Sequence, residues 1–226
     1  MKNKIRNNYI SAIIFLILFV LFTILVKTVD VKPVGPQESL IGFSAVNIAV
    51  FNFFGQNSIC YNITELIGYV ALLTALFFGI YVFMQLCRRK SLIKVDFDII
   101  FIAVLYVVTA LAYIFFEIMI VNYRPVLVGG LLEASYPSSH TMLVVTILGS
   151  ASMLVDRRVK NAHIKRGLKV IFSILIIATV IGRVASGFHW VTDVIGAVLL
   201  SAFLLMIYYS AVKHIEYAKS KEEIKK

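Results

Sequence analysis

Long runs of apolar residues dominate this sequence, and they restrict its fold more than any other feature. A helix of about 20 mainly apolar residues can cross the hydrocarbon core of a membrane, and its backbone satisfies its own hydrogen bonds there. Hydrophobic residues make up 60% of the 226-residue chain and charged residues 15%, unlike the balance in a soluble domain. The runs predict an all-α membrane bundle of six transmembrane helices, near residues 9–26, 63–86, 99–121, 142–155, 171–181 and 191–212.

A further apolar segment, residues 40–54, differs from these six. It is only 15 residues long, shorter than an ordinary span, and it is interrupted by the small and polar residues Gly42, Ser44, Asn47 and Asn52. We expect an interfacial or re-entrant helix there, within an outer loop over residues 27–62. The whole chain, 1–226, is then one membrane-embedded domain that ends in a charged cytoplasmic tail over residues 213–226.

The positive charges lie between the apolar runs in a regular pattern. With six spans, 18 of the 22 Lys and Arg residues fall on one side of the membrane, in clusters at residues 2–6, 88–94, 157–169 and 213–226. Cytoplasmic loops are enriched in Lys and Arg, so this side and both termini are predicted to be cytoplasmic. A seventh span over 40–54 would divide the clusters between two faces. We predict a multi-pass protein of the plasma membrane.

The formal net charge of +10 is therefore explained by membrane topology, and no nucleic-acid partner is expected. Four cations remain for the outer side: Lys27, Lys32, Arg124 and Arg183. Ionisable residues at a membrane boundary are costly unless they are paired or functional, so we expect these four to be paired or to have a function. Two His residues and an Asp fall on the same side, in the segments 122–140 and 182–193.

In the second of these segments, His189 and Asp193 are four residues apart at the start of a helix, so their side chains share a face. The carboxylate can hold one ring nitrogen, which fixes the tautomer and makes the other nitrogen a better base or nucleophile. The alternative is that Asp193 only caps the helix or pairs near the membrane surface. The pair by itself does not decide between the two.

In the first segment, Pro137-Ser138-Ser139-His140 precedes the fourth apolar run. Pro and Ser are common at an ordinary helix start, but the free N–H groups and the positive dipole of that end also favour an anion. Arg124 and Arg183 add planar donors suited to phosphate. The combination indicates phosphoryl transfer with an anion clamp, a nucleophilic His189 and an acidic His140.

The motifs that carry these residues resemble those of a known superfamily. Arg124-Pro125, then Pro137-Ser138-Ser139-His140, then Arg183-x5-His189-x3-Asp193 is similar to the three-part signature of the type 2 phosphatidic acid phosphatase (PAP2) superfamily, over about residues 99–200. Ser139 stands where the family usually has Gly. The six-span setting resembles the membrane lipid-phosphate phosphatases of that superfamily.

The resemblance implies a role for each motif residue. His189 would attack phosphorus to form a phosphohistidine, Asp193 would orient it, and His140 would protonate the leaving group. The phosphoryl oxygens would be bound by the four remaining motif residues, Arg124, Arg183, Ser138 and Ser139. Water would then hydrolyse the intermediate, and neither a metal nor another cofactor is implied.

One position departs from the family pattern. The first motif of the family is Lys-x6-Arg-Pro, and Glu117 stands seven residues before Arg124. A carboxylate about 5 Å from a phosphate would repel it by roughly 3 kcal/mol per unit charge at an effective dielectric constant of about 20. We expect Glu117 to brace Arg124 instead, while Lys27 or Lys32 reaches the phosphate. The alternative is a catalytically weakened site.

Together these features predict a metal-independent lipid-phosphate phosphatase that acts at the outer face of the membrane. Candidate substrates are phosphatidic acid, phosphatidylglycerophosphate and undecaprenyl diphosphate, and the sequence does not select among them. Two alternatives remain open. One is a phosphotransferase that passes the phosphoryl group to another lipid or sugar, and the other is a lipid-binding or transport protein on a decayed phosphatase scaffold.

Overall fold

Six long helices and one short helix make up most of the structure, a computed structural model that describes residues 2–225. The helices are α1 (Lys2–Thr28), α2 (Ser44–Phe54), α3 (Ser58–Arg89), α4 (Phe97–Ile118), α5 (Ser139–Arg158), α6 (Ala162–Ala185) and α7 (Val191–Lys225). All except α2 are long and apolar enough to cross a membrane. The predicted six-span fold is confirmed, and α2 lies where a short additional helix was expected. Met1 and Lys226, the latter in the predicted tail, lie outside the described residues.

Several helices extend beyond the apolar runs that predict them. The second run begins at residue 63, but α3 begins at Ser58, where the Asn57 side chain accepts hydrogen bonds from the N–H groups of Ile59 and Cys60. Likewise, α6 begins at Ala162, after a similar Asn161 cap, rather than at residue 171. Such caps satisfy N–H groups that have no partner inside the helix, so a helix can begin in a polar segment.

The two central helices are α5 and α7. Half of the apolar part of each is buried, against 11–22% for the other four spans. Their contact is lined by small and branched side chains, among them Met142 and Ala151 of α5 and Ala197, Leu200 and Leu204 of α7. The outer spans turn large apolar side chains away from the bundle, as expected of helices that face lipid.

One end of the bundle, which we call the basic end, is held together by ion pairs. Arg158 pairs with Asp98 and, at 2.9 Å, with Asp96, while Arg157 pairs with Asp98 and Glu216. These contacts connect the start of α4 to the ends of α5 and α7. Asp96 also receives hydrogen bonds from Gln85 and Arg89, and these partners lower the pKa of its carboxyl to about 2 despite its partial burial.

The opposite end, which we call the loop end, is formed by the segments 29–57, 119–138 and 186–190. The first contains a two-residue antiparallel pair, β1 (Lys32–Pro33) and β2 (Leu40–Ile41). The second folds back on itself through the bridges Tyr123↔Ala134 and Val128↔Leu131. The indole N–H of Trp190 donates to the carbonyl of Tyr123 at 2.8 Å, so the second and third segments meet.

Candidate active site

His189 lies at the centre of the loop end, in the short connection between α6 and α7, and is 3% exposed. Its Nε2 atom is 3.3 Å from Nη1 of Arg124. A guanidinium can only donate, so Nε2 accepts this hydrogen bond and carries the lone pair. The proton of the neutral ring is therefore on Nδ1. Burial, together with Arg124 and Arg183, lowers the pKa of His189 well below its ordinary value, so the ring is neutral near pH 7.

Asp193 lies on the first turn of α7 and is completely buried. Its Oδ2 atom is 3.6 Å from Nδ1 of His189, on the side where that ring carries its proton. The same oxygen accepts the N–H of Trp190 at 2.9 Å, and Oδ1 lies 3.4 Å from the side-chain amide of Asn122. Both oxygens of the carboxyl group are thus held in place by neighbouring donors.

Arg124 follows the C-terminal end of α4 and has a side chain that is 11% exposed. Its Nε atom is 3.0 Å from Oε2 of Glu133, and the backbone of the two residues is joined by a 3.0 Å hydrogen bond from the Arg124 N–H to the Glu133 carbonyl. The two residues face each other across the folded segment 119–138. This arrangement holds the guanidinium against His189.

His140 occupies the first turn of α5, close to α3. Its Nε2 atom is 3.0 Å from Oε2 of Glu65. An ionised carboxylate only accepts hydrogen bonds, so Nε2 of His140 is a donor, whereas Nε2 of His189 is an acceptor. The other ring nitrogen of His140, Nδ1, is buried and has no partner among the residues described.

Arg183 near the end of α6 is the largest fully buried side chain among the described residues. Its Nη2 atom donates to Oε1 of Glu65 at 2.6 Å, and its guanidinium lies 5.1 Å from the centre of the Tyr61 ring. The Nε and Nη1 atoms are buried without partners in the described part of the chain. Two charged donors are therefore left for an anion.

Ser138 and Ser139 form the start of α5. Ser138 is completely buried, its N–H donates to the Asp193 carbonyl at 3.0 Å, and its hydroxyl accepts from Thr141 at 3.0 Å. The Ser138 hydroxyl proton thus remains free to donate. Ser139 begins the helix, where N–H groups lack intrahelical partners, and it lines a small cavity together with His189.

The expectation that Glu117 braces Arg124 is wrong, because Arg124 pairs with Glu133 instead. The helix ends too early for the expected geometry: α4 stops at Ile118, so the two residues do not share a helix face. Glu117 is exposed and makes no ion pair with any residue in the described range. It does line the small cavity beside His189.

The expectation that Lys27 or Lys32 reaches the phosphate is not met either. Lys32 is 59% exposed and pairs with Asp30 at 3.0 Å. Lys27, in the last turn of α1, lines a different groove, together with Gly42, Asn122 and other neighbours. Within residues 2–225, neither lysine side chain forms a hydrogen bond or an ion pair with a motif residue, and the cations of the site are Arg124 and Arg183.

Two carboxylates of the site, Glu65 and Glu133, were missed by the sequence reasoning. The signal for Glu65 was present, because it is the one charged residue between Ser58 and Leu86 in an apolar run, and a charge within a span points to function. Glu133 had no such signal. It lies in a loop, and its pairing depends on how the segment 119–138 folds back.

The arrangement has the parts that phosphoryl transfer requires. The structure brings His189, Asp193, Arg124, His140, Arg183 and the two serines to one end of the bundle, while Glu117 lies at the edge and both lysines lie apart. Nε2 of His189 presents a lone pair to Arg124, and Nε2 of His140 presents an N–H to Glu65. No group of three or more His, Cys, Asp or Glu side chains that could hold a metal ion occurs in the described range.

The fold defines a class of protein: a multi-pass α-helical membrane protein with six candidate spans. The chain superposes on the crystal structure of a transmembrane PAP2-type phosphatidylglycerolphosphate phosphatase from Bacillus subtilis with a TM-score of 0.65 and 19% sequence identity, covering 91% of this chain and 97% of that one. The family model of the PAP2 superfamily matches residues 117–216. The resemblance inferred from the motifs is thus confirmed by the family-model match and by the shared fold. The comparison with curated proteins found no match.

Proposed function

We propose that this protein is a lipid-phosphate phosphatase that acts without a metal through a phosphohistidine on His189. The observation that carries the proposal is the opposite polarity of the two imidazoles. His189 accepts a hydrogen bond at Nε2 from Arg124, whereas His140 donates one from Nε2 to Glu65. Nε2 of His189 thus has a lone pair to attack with, and His140, once protonated, keeps its Nε2–H on Glu65 and has an Nδ1–H to give to the leaving oxygen. The PAP2 match supports a phosphatase.

In the first step, Nε2 of His189 attacks phosphorus, and the bond from phosphorus to the leaving oxygen breaks. Nδ1 of the protonated His140 gives its proton to that oxygen, which leaves as an alcohol or as a protonated phosphate, and His140 becomes neutral. As His189 forms the new bond it gains positive charge, which Asp193 stabilises from the Nδ1 side. The 3.6 Å separation is one that can shorten to a hydrogen bond when substrate binds.

The phosphoryl oxygens are bound by the two arginines and by the start of α5. Arg183 supplies Nε and Nη1, and Arg124 moves its Nη1 from His189 to an oxygen as phosphorus approaches. Ser138 and the N–H of Ser139 complete the set at the start of α5. Prearranged donors of this kind stabilise charge that develops in the transition state.

The second step releases phosphate. Water attacks the phosphorus of the phosphohistidine, and the bond from phosphorus to Nε2 of His189 breaks. Nδ1 of His140 takes a proton from the water, and His189 returns to its neutral form. Both steps need the same groups in alternating protonation states, so a single pair of imidazoles suffices.

The substrate is proposed to be a lipid phosphate of the outer leaflet of the plasma membrane. The site lies at the end of the bundle opposite the Lys and Arg clusters, which the positive-inside rule assigns to the cytoplasm, with both termini. Phosphatidic acid, phosphatidylglycerophosphate and undecaprenyl diphosphate are the candidates. The solved PAP2 structure to which the chain is similar is that of a phosphatidylglycerolphosphate phosphatase, which places that lipid first in a test.

The test is phosphate release from these three lipids by purified protein in detergent, with His189→Ala as the control. We expect release from at least one lipid and none above background from the control. Transfer of the phosphoryl group to a second lipid in place of water would identify a transferase. A wild-type protein that binds a lipid but releases no phosphate would contradict the proposal and favour a decayed scaffold.

A further inference from the structure

Glu65 makes contacts that none of the PAP2 motif roles explains. It lies in the second turn of α3, an otherwise apolar span, with a side chain that is 22% exposed. One carboxylate oxygen is 2.6 Å from Arg183 Nη2 and the other is 3.0 Å from His140 Nε2. A single side chain therefore joins the buried arginine to the proposed general acid.

Neighbours of Glu65 on α3 pack against Arg183, against His140, or against the helix that carries Arg183. Tyr61 lies under the Arg183 guanidinium, and at Gly68 an added Cβ would come within 3.0 Å of the His140 ring. Thr64 packs against Gly182, where an added Cβ would lie 2.6 Å from its methyl group. Residues spaced by three and four positions share a helix face, so α3 presents one continuous surface to both groups.

We infer that Glu65 is a positioning residue that holds His140 and Arg183 in the geometry needed for leaving-group protonation. This inference deepens the proposed phosphatase function and rests on it. By accepting from Nε2, Glu65 fixes the His140 ring and leaves Nδ1 to exchange its proton with the leaving oxygen. By accepting from Nη2, it turns Nε and Nη1 of Arg183 towards the phosphoryl group.

Glu65 also sets the charge of the site. Its carboxylate offsets one of the two arginines, so the pocket attracts a phosphate less strongly than two unpaired arginines would. Removing this charge while keeping an acceptor oxygen for Arg183, as Gln does, should therefore not weaken the binding of an anion, although it should impair turnover. A substitution that merely damaged the fold would impair both. The two readouts separate a positioning role from a structural one.

The test compares Glu65→Gln, which keeps the shape but loses the charge, with Glu38→Gln, which removes the same charge from an exposed loop at the same end. Turnover is measured with an alkyl phosphate lipid, whose leaving group needs a proton, and with p-nitrophenyl phosphate, whose leaving group needs one much less. We expect Glu65→Gln to lower kcat at least tenfold for the lipid and no more than threefold for the aryl ester. The Glu38→Gln control should match wild type.

Binding is measured separately with inorganic phosphate, by the fluorescence of Trp190, the single tryptophan of the chain, which adjoins His189. Glu65→Gln should bind phosphate at least as tightly as wild type. Glu65→Asp keeps the charge but is one methylene too short to reach both partners, and it should restore only part of the lipid turnover.

Three results would overturn the inference: unchanged turnover in Glu65→Gln, an equal loss with both leaving groups, or loss of phosphate binding together with turnover. A wild-type protein that releases no phosphate from any substrate would instead refute the proposed function. The two failures are thus distinguishable.

Discussion

Arg183 is completely buried at the loop end of α6, and its surroundings illustrate how single residues define this site. A buried guanidinium is tolerated only when its charge is compensated, and Glu65 supplies the compensation at 2.6 Å. Arg124 is compensated in the same way by Glu133. Each arginine therefore has one carboxylate that orients it. Nε and Nη1 of Arg183 have no partner among the described residues, and Nη1 of Arg124 lies against His189.

That the motif residues lie together could be expected from the sequence, because His, Arg and Asp at fixed spacings are chemically distinctive. The two orienting carboxylates could not be assigned, because their partners are remote: Glu65 is 118 residues from Arg183 along the chain. The pairing of Arg124 with Glu117 was predicted wrongly, because it assumed a helix that continues to Arg124, and α4 ends at Ile118.

Replacing Glu133 should weaken the site modestly. Glu133→Gln removes the ion pair with Arg124 but keeps the backbone hydrogen bond between the two residues, so the guanidinium beside His189 becomes less ordered. An ion pair with one partner 40% exposed contributes about 0.5–1 kcal/mol, and kcat/KM for a lipid phosphate should fall two- to fivefold. No fall relative to Glu38→Gln would show that Glu133 does not orient Arg124.

Replacing Glu117 by Lys should have the opposite effect. Glu117 is exposed, has no ion-pair partner in the described part of the chain, and lines the cavity beside His189, so a cation there exchanges a repulsion for an attraction in the anionic transition state. We expect kcat/KM to rise a few-fold in Glu117→Lys. A decrease would mean that the carboxylate has a positive role, such as recognition of a cationic group on the substrate.

The pH dependence of activity should reflect the environment of His189. Burial and the two arginines lower the pKa of His189 well below 6.5, and the nucleophile must be neutral. As the pH falls, activity persists through 6.5 and is lost only as the lowered pKa is approached. The midpoint of the fall in kcat/KM at acid pH, corrected for ionisation of the substrate phosphate, should therefore lie below pH 6.5. A midpoint at or above 6.5 would contradict the proposed environment.

At the scale of elements, the short helix α2 is fastened to the start of α7 by a buried amide. The Asn47 side chain is buried, with 1% of the residue exposed. Its Nδ2 donates to the Gly42 carbonyl at 2.8 Å and to the Thr192 hydroxyl at 3.0 Å. Its Oδ1 accepts from the Thr192 N–H at 3.3 Å. The contact lies one residue from Asp193. The apolar character of segment 40–54 predicted a short helix, whereas its role as a support for α7 depends on contacts that sequence alone does not reveal.

We expect Asn47→Ala to loosen the start of α7. Removal of a buried amide leaves polar groups of Gly42 and Thr192 without partners, at a cost of about 1–3 kcal/mol. Thermal unfolding in detergent should occur at a lower temperature, and kcat should fall because Asp193 is less firmly placed. Asn52→Ala, at an exposed position of the same helix, is the matched control. Equal behaviour of the two variants would show that α2 does not support the site.

At the scale of the whole molecule, the fold was the most predictable feature, because a membrane allows few alternatives to fully hydrogen-bonded helices. The apolar runs located all six spans, and the short polar-interrupted run marked α2. The exact helix ends were less predictable, since Asn57 and Asn161 caps extend α3 and α6 beyond their apolar parts.

The sidedness of the molecule can be tested by labelling. In a background lacking Cys60 and Cys87, both free thiols, single cysteines would replace Leu131 at the loop end, which is 68% exposed, and His163 at the basic end, also exposed. We expect an impermeant thiol reagent to label Leu131→Cys in intact cells and His163→Cys only after lysis. The reverse pattern would place the site in the cytoplasm and exclude an outer-leaflet substrate.

The covalent intermediate offers the most direct test of the account. Purified protein is mixed briefly with a lipid phosphate that carries a labelled phosphoryl group, quenched under alkaline denaturing conditions, and digested to locate the label. The account predicts acid-labile, alkali-stable label on His189, and none in His189→Ala. Label on another residue, or label that persists in His189→Ala, would contradict it.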